Sequence, residues 1–380
     1  MESEKCLAIQ TNTTEPVQNE AGIRMDYTTP IGNKMNFRTG IKTKFQVMQD
    51  KYLNEFHYNE KIFAAYGTIA YKHTKYDLSV GLRTERSVSE LKNNFRNPVL
   101  SFFPNSAFNY KLNSRQNIQL SYNCSVRRPG IYQLNPQTSI DAPYAVSKGN
   151  PFLKPEYRSS ISLEHSIQFK GNYFASGLFY NKMSDVISNL TFIDDTSAFV
   201  TQMYNMGNIY QIGLQFTGTL KLGIATINPY LRLFGQQTTG NGLAEQNDLE
   251  SKHNLAFESG LSANFSFRHD LSFSFVYQYT SPKNDIQGNS FCDALYFLSL
   301  EKSFKQKIKI GIVSAIPFTR SFIYQGSEIN GSNFYSYYTG NVKLSNPIWF
   351  KLSYQFNSGK NRDKINREKE EIDNLPKKGF

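Results

Sequence analysis

The sequence has no run of apolar residues long enough to cross a membrane as a helix. Its longest uninterrupted apolar runs, at residues 62–66 and 294–298, are short, whereas a membrane-spanning helix needs about 20 consecutive apolar residues. A chain without such runs crosses a bilayer only as a closed β-sheet, because in lipid only helices and closed barrels satisfy every backbone hydrogen bond. The remaining options are a soluble protein and a β-barrel.

Residues that commonly build metal or catalytic sites are few and scattered. The three cysteines, Cys6, Cys124 and Cys292, are far apart and odd in number, which argues against a disulfide framework or a zinc site. The histidines stand singly, without HExxH or a similar pair, at His57, His73, His165, His253 and His269. With no glycine-rich phosphate loop and no catalytic constellation either, the sequence predicts no enzyme, no metal site and no cofactor.

A secretory leader is also missing at the start of the sequence. The apolar stretch at residues 6–9 is too short for the core of a signal peptide and ends at Gln10. Because strand-like alternation is already present near this point, we expect an export signal to lie upstream. The chain would then be the C-terminal part of a longer product, or its start would be assigned too late.

Aromatic residues are abundant although the chain is hydrophilic overall. Phe, Tyr and Trp make up 14% of the chain, with 30 Phe, 24 Tyr and one Trp, while the mean hydropathy is −0.49. This combination is typical of a surface that alternates between lipid and water. The net charge of +11 comes from Lys and Arg scattered along polar strand faces and loops. It indicates a polar lumen or lipid headgroups as partners, and no nucleic acid.

Strict alternation of apolar and polar residues is the dominant pattern. In residues 116–127 the apolar face continues through Tyr122, Cys124 and Val126, and residues 210–222 and 255–280 repeat the pattern. The predicted lumen-facing polar residues are Gln211, Gln215, Thr217, Lys221, Ser272, Ser274 and Gln278. Many segments reach ten residues or more, close to the ~9–11 that a tilted strand needs to cross the apolar slab.

The pattern predicts an all-β fold, an antiparallel transmembrane β-barrel of roughly 16–18 long strands. Tight turns, for example at residues 170–172 and 268–270, alternate with long polar connections such as residues 188–198, 238–249, 281–290 and 324–333. Residues 1–358 would form the barrel. Residues 359–380 are rich in charge and predict a disordered tail outside it.

One segment breaks the alternation and is distinctive. It reads RRPGIYQLNP at residues 127–136 and GNPFLKPEY at residues 149–157, and an alternating strand follows. With this motif and with the final strand at residues 350–356, the chain resembles the barrel of TonB-dependent receptors, in particular their outer-membrane β-barrel family. The resemblance extends from about Cys6 to the end of the chain.

The resemblance implies a 22-stranded barrel, of which this chain would be part, filled by a plug domain whose short box contacts TonB. It also implies uptake of a scarce nutrient: a siderophore, vitamin, glycan or peptide. The sequence contains neither plug nor box, so TonB would act only through a missing plug domain. Expected partners are lipid and lipopolysaccharide of the outer membrane of a Gram-negative bacterium, and an unknown nutrient ligand.

The leading functional prediction is therefore the barrel portion of a TonB-dependent outer-membrane transporter. The alternatives are a passive pore or adhesive barrel without TonB coupling, an outer-membrane enzyme, and a soluble β-sandwich or solenoid. The ligand-binding residues stay unknown at this stage. Loop side chains able to touch a ligand are Asp194, Asp195, Tyr324, Glu328, Tyr335 and Tyr337. For each of them, an ordinary role as a solvated loop residue is the better explanation.

Overall fold

The computed structural model describes residues 15–50, 56–91, 96–142, 144–195, 197–305, 307–343 and 347–356. The predicted tail at residues 359–380 lies outside these ranges. The strands are β1 (Pro16–Ile31), β2 (Met35–Asp50), β3 (His57–Lys72), β4 (Tyr76–Leu91), β5 (Arg96–Lys111), β6 (Gln116–Arg127), β7 (Ser139–Ala142), β8 (Ala145–Lys148), β9 (Glu156–Phe169), β10 (Asn172–Ser184), β11 (Ile187–Ile193), β12 (Phe199–Asn205), β13 (Gly207–Leu222), β14 (Ala225–Gly240), β15 (Lys252–Phe267), β16 (Leu271–Thr280), β17 (Lys283–Asn284), β18 (Gly288–Phe291), β19 (Leu295–Phe304), β20 (Ile308–Ala315), β21 (Ser321–Asn330), β22 (Tyr335–Lys343) and β23 (Ile348–Tyr354).

Helices are short. They are α1 (Ile131–Leu134), α2 (Gly242–Gln246) and a 3₁₀ turn at Arg268–Asp270. Within the described ranges, no helix has the length and apolar character required to cross a membrane.

Fifteen strands form one antiparallel sheet, in the order β1-β2-β3-β4-β5-β6-β9-β10-β13-β14-β15-β16-β19-β20-β23. The predicted all-β antiparallel fold is confirmed, with fewer strands in this sheet than the expected 16–18. The other strands of the described residues lie in two four-stranded sheets, β11-β12-β8-β7 and β17-β18-β21-β22. Short alternating stretches therefore do not all belong to the wall.

The main sheet has one apolar and one polar face, as its period of two requires. On β13, Ile212, Leu214 and Phe216 are exposed, and Leu214 lies between Leu178 of β10 and Leu233 of β14. We call this the outer face. The opposite, inner face carries the predicted lumen residues, including Gln211, which is buried beside Gln236.

The two ends of the main sheet differ. Short turns join the strands at one end, which we call the turn end. An example is the two-residue turn Lys170–Gly171, where both residues have positive φ, as a type I′ hairpin requires. Every connection that carries an α-helix or additional strands lies at the other end, the loop end: residues 128–155, 185–206, 241–251, 281–294 and 316–347.

The connections predicted as long polar loops are largely structured. Residues 188–198 contain most of β11, residues 281–290 contain β17, and residues 324–333 overlap β21. The sequence did not predict these short strands, because strands of mixed composition resemble solvated loops until a partner strand is known.

On the inner face, two phenylalanine rings from neighbouring strands meet over a glycine of the strand between them. On β13, Gly213 is the neighbour of Phe179 on β10 and of Phe234 on β14. A Cβ atom on Gly213 would lie 2.6 Å from the Cβ of Phe234, so only glycine fits. The two rings meet with centroids 6.2 Å apart, and the Arg232 guanidinium stacks 3.9 Å from the centroid of Phe179. This cluster ties three neighbouring strands together.

The sheet opens between β5 and β6 towards the loop end. Their pairing begins at Asn105 opposite Asn123 and continues to the turn end, while β5 residues nearer the loop end pair with β4 alone. Pro104 marks the opening because it has no N–H to donate. Beyond it, Phe103 stacks on Tyr157 with ring centroids 6.3 Å apart, and Ser101 and Tyr157 share a hydrogen bond of 2.8 Å.

Candidate functional site

The connection between β6 and β9, residues 128–155, folds back onto the inner face near the loop end. Ile131 and Leu134 of α1 and Leu153 are buried against the inner face of β2 and β3 in one apolar cluster. The cluster consists of Met48, Phe56, Tyr58, Ile131, Leu134, Leu153 and Ile187. We call residues 128–155 the re-entrant segment, because it covers wall residues that would otherwise line the interior.

A buried charge network fixes the start of the re-entrant segment. The Arg128 guanidinium lies 3.2 Å from the Glu60 carboxylate and also pairs with Glu85. Glu85 accepts a second contact from Arg83 at 2.5 Å. The side chains of Glu60 and Glu85 are only 4% and 1% exposed, so each needs a charged partner to be buried at this position.

Residues of the distinctive motif form hydrogen bonds that hold the re-entrant segment in place. The Asn150 side chain donates to the Met203 carbonyl at 3.0 Å and accepts from the Phe152 N–H. Glu156 accepts from the Ile187 N–H at 2.6 Å and pairs with Arg127. Asn135 donates to the Asp50 carboxylate at 3.0 Å. The motif residues thus bond to their own chain, which makes them structural residues.

A cavity of about 390 Å³ lies between the re-entrant segment and the inner face of β1–β4. Its wall includes five cationic side chains, Lys42, Lys44, Arg83, Arg127 and Arg128. Lys44 forms an ion pair of 2.9 Å with Glu20, and Arg83, Arg127 and Arg128 pair with the carboxylates named above. Because the cations are largely neutralised, the cavity is suited to packing more than to capturing an anion.

A buried amide joins the two smaller sheets at the loop end. The Gln287 side chain accepts from the Thr191 N–H at 2.7 Å and donates to the Thr191 carbonyl at 2.6 Å. Gln287 is 4% exposed and Thr191 is 6% exposed. The amide therefore completes the free edge of β11 as a strand partner would. Phe199 and Phe334 add an edge-to-face contact between the two sheets, with centroids 5.3 Å apart.

A second cavity, of about 250 Å³, lies at this junction. Four loop-end segments line it: β11, the end of α2, the turn between β17 and β18, and the turn between β21 and β22. The lining residues are Thr191, Phe192, Ile193, Asn247, Gln287, Gly331, Ser332, Asn333 and Phe334. On β12, burial raises the pKa of the Tyr204 phenol, and its O–H donates to the Gln202 side chain at 2.7 Å.

The structure separates the loop residues singled out in the sequence. Asp194 accepts from the Ala198 N–H in the β11–β12 turn, and Asp195 is exposed beside it. Tyr324, Glu328, Tyr335 and Tyr337 lie on the β21–β22 hairpin. There Tyr337 stacks on Phe291 with centroids 5.7 Å apart, and Glu328 accepts from Asn289 at 2.8 Å. None of the six lines the junction cavity.

The residues that do line the junction cavity were missed in the sequence. Ser332, Asn333 and Asn247 belong to short polar stretches, and such stretches give no signal that distinguishes a cavity wall from a solvated turn. Among the described residues, no group of three or more His, Cys, Asp or Glu side chains is arranged to hold a metal ion.

The sequence matches the model of the outer membrane protein beta-barrel family over residues 3–354. The chain belongs to this family, and the resemblance drawn from the motif is confirmed. The protein is a β-barrel protein of the bacterial outer membrane. No curated protein matches the chain.

Solved structures of the same architecture include a copper transporter, OprC, with a TM-score of 0.67 and 13% identity over 90% of this chain and 59% of that one. The FrpB iron transporter from Neisseria meningitidis matches with a TM-score of 0.62 and 10% identity, over 90% of this chain and 56% of that one. The ferric yersiniabactin uptake receptor FyuA from Yersinia pestis matches with a TM-score of 0.57 and 12% identity, over 86% of this chain and 52% of that one. The chain thus spans little more than half of each of these structures, and at such identities the likeness shows the fold alone.

Proposed function

We propose that the chain forms the C-terminal wall of a TonB-dependent outer-membrane receptor that imports a scarce nutrient. The observation that carries the proposal is the asymmetry of the main sheet: simple turns at one end, and structured, cavity-forming connections at the other. A receptor needs a structured binding surface on the side from which its ligand arrives. The names of the structural neighbours, transporters of copper and iron and a ferric siderophore receptor, support transport as the activity class.

In this proposal the outer face contacts lipid and lipopolysaccharide, and the loop end faces the outside of the cell. The inner face surrounds a plug domain supplied elsewhere in the complete receptor, and TonB acts on that plug. The chain itself has no catalytic role. The ion pairs on the inner face, such as Lys351 with Glu301 at 3.1 Å, would keep the wall polar against the plug.

The test is uptake in the native bacterium. A strain lacking the gene is grown with iron, copper, cobalamin or a glycan as the limiting nutrient, with and without the complementing gene, and the assay is repeated in a strain without TonB. The proposal expects a growth defect on at least one nutrient that the gene restores only when TonB is present.

A passive pore would give a different result. Restoration that does not depend on TonB would overturn the proposal in favour of the pore, and steady conductance of the complete protein in a planar bilayer would support that alternative. Loss of cell adhesion without any growth defect would favour an adhesive barrel.

A further inference from the structure

No charged side chain lines the junction cavity. The protein has 42 Lys and Arg and 31 Asp and Glu, yet the lining consists of amides, hydroxyls, phenylalanine rings, one isoleucine and a glycine. A ligand with a net charge would lose its hydration there without gaining an opposite charge, at considerable free-energy cost. The lining therefore selects for a neutral ligand.

Several polar groups of the lining are free to bind. The Asn333 amide and the Ser332 hydroxyl make no hydrogen bond with other residues of the described ranges, and the side chain of Asn247 uses only its N–H₂ group, which donates to the Leu243 carbonyl at 2.9 Å. A primary amide offers a donor and an acceptor side by side. Two adjacent hydroxyl groups on a ring, each of which donates and accepts, match that pair.

The rest of the lining is held rigidly. Gln287 is locked onto both backbone groups of Thr191, and the Phe334 ring lies over Gly331 and against Phe199. Because the floor and one aromatic wall are fixed before any ligand arrives, little ordering entropy is lost on binding. An aromatic face suits the C–H face of a saturated ring, and the volume of about 250 Å³ holds one such ring.

We propose that the junction cavity binds one ring of a neutral carbohydrate, with Asn333 and Ser332 hydrogen-bonding its hydroxyl groups and Phe334 packing against its apolar face. This inference rests on the proposed function, of which it names the substrate class. It also assigns a binding role to the turn between β21 and β22, residues 331–334.

The experiment uses the intact protein purified in detergent. Calorimetric titration is carried out with glucose, galactose, mannose, xylose, N-acetylglucosamine and their short oligomers, and with ferric enterobactin and copper(II) as charged comparators. At least one neutral sugar should bind with one-to-one stoichiometry. Asn333→Ala should weaken that binding about tenfold, as expected for the loss of a bonded amide, and Ser332→Ala should weaken it less.

Asn330→Ala is the matched control, because Asn330 lies on the same hairpin but outside the cavity. It should leave the affinity unchanged within about twofold, equivalent to well under 1 kcal/mol. Heat-shift electrophoresis checks that every variant is folded. The inference is overturned if none of the sugars binds at millimolar concentration, if only the charged comparators bind, or if Asn333→Ala and Asn330→Ala bind the sugar equally well.

TonB-dependent uptake separates the two proposals. Uptake that persists when no sugar binds would remove the carbohydrate inference and leave the transporter in place. Sugar binding that Asn333→Ala weakens, without any TonB-dependent uptake, would support the cavity as a sugar site and overturn the transport proposal.

Discussion

At the scale of single residues, Arg128 is the side chain on which the position of the re-entrant segment depends most. It neutralises two carboxylates, Glu60 and Glu85, that are almost completely buried. Arg127, its neighbour in sequence, pairs with Glu156 but is 56% exposed. The two adjacent arginines therefore offer a direct comparison between a buried and a largely exposed ion pair.

Arg128→Ala should lower the free energy of unfolding by about 3–5 kcal/mol, because it removes the ion pair of the buried Glu60 carboxylate and leaves Glu85 with Arg83 alone. Arg127→Ala should cost about 1 kcal/mol or less, because water screens the exposed pair. Urea titration of the refolded protein in detergent, followed by heat-shift electrophoresis, measures both. Equal losses would contradict a special role for Arg128.

A second prediction at this scale concerns the packing around Gly213. Gly213→Ala places a methyl group where the Leu233 carbonyl and the Phe234 side chain already lie, so it should cost about 1–3 kcal/mol through overpacking. The control is Gly235→Ala on the neighbouring strand, where nothing lies within 4 Å of the added Cβ. That change should be close to neutral. If Gly213→Ala lost less stability than Gly235→Ala, the cluster of Phe179 and Phe234 would not be tightly packed.

At the scale of elements, the loop-end sheets depend on a side chain that imitates a strand. Gln287→Ala would leave the N–H and carbonyl of Thr191 without partners at a site that is buried in the folded protein, at about 1–3 kcal/mol for each group. We expect β11 and the β17–β18 hairpin to separate while the main sheet stays intact. Hydrogen exchange should therefore rise at Thr191 and stay constant in β13.

Gln325→Ala is the control for this prediction, since Gln325 is exposed on β21 and makes no side-chain bond in the described residues. It should change exchange at neither place. Exchange that rises equally throughout β13 in Gln287→Ala would mean that the loop-end sheets and the wall unfold as one unit.

The elements also show what the sequence could predict. The wall follows directly from the period of two, so the faces of β13 and β16 were predicted residue by residue. The smaller sheets were not, because strands such as Ile187–Ile193 are short. Their sheet also depends on contacts distant in sequence, such as the pairing of β12 with β8 and the bond of Thr191 to Gln287. The network of Glu60, Glu85 and Arg128 was hidden for the same reason. Only the motif indicated that residues 127–157 were special, and the contacts that explain it are long-range.

At the scale of the whole molecule, the proposed function requires the wall to present its apolar face to lipid along the full length of the long strands. Leu214 lies near the middle of β13 and is exposed on the outer face, between Leu178 and Leu233. Its neighbour Gln215 points to the inner face, 3.5 Å from the Glu164 carboxylate. Adjacent positions of one strand thus have opposite surroundings.

A lysine placed at each of these positions tests the orientation of the wall. Leu214→Lys should reduce the stability of the membrane-inserted protein by about 2–4 kcal/mol, because a charge at the bilayer midplane is poorly solvated. Gln215→Lys should be tolerated, because the ammonium group meets Glu164 on the polar face. Urea titration of the intact protein folded into liposomes gives both values. If Gln215→Lys were the more harmful of the two, the assignment of inner and outer faces, and with it the lipid contact proposed for this wall, would be wrong.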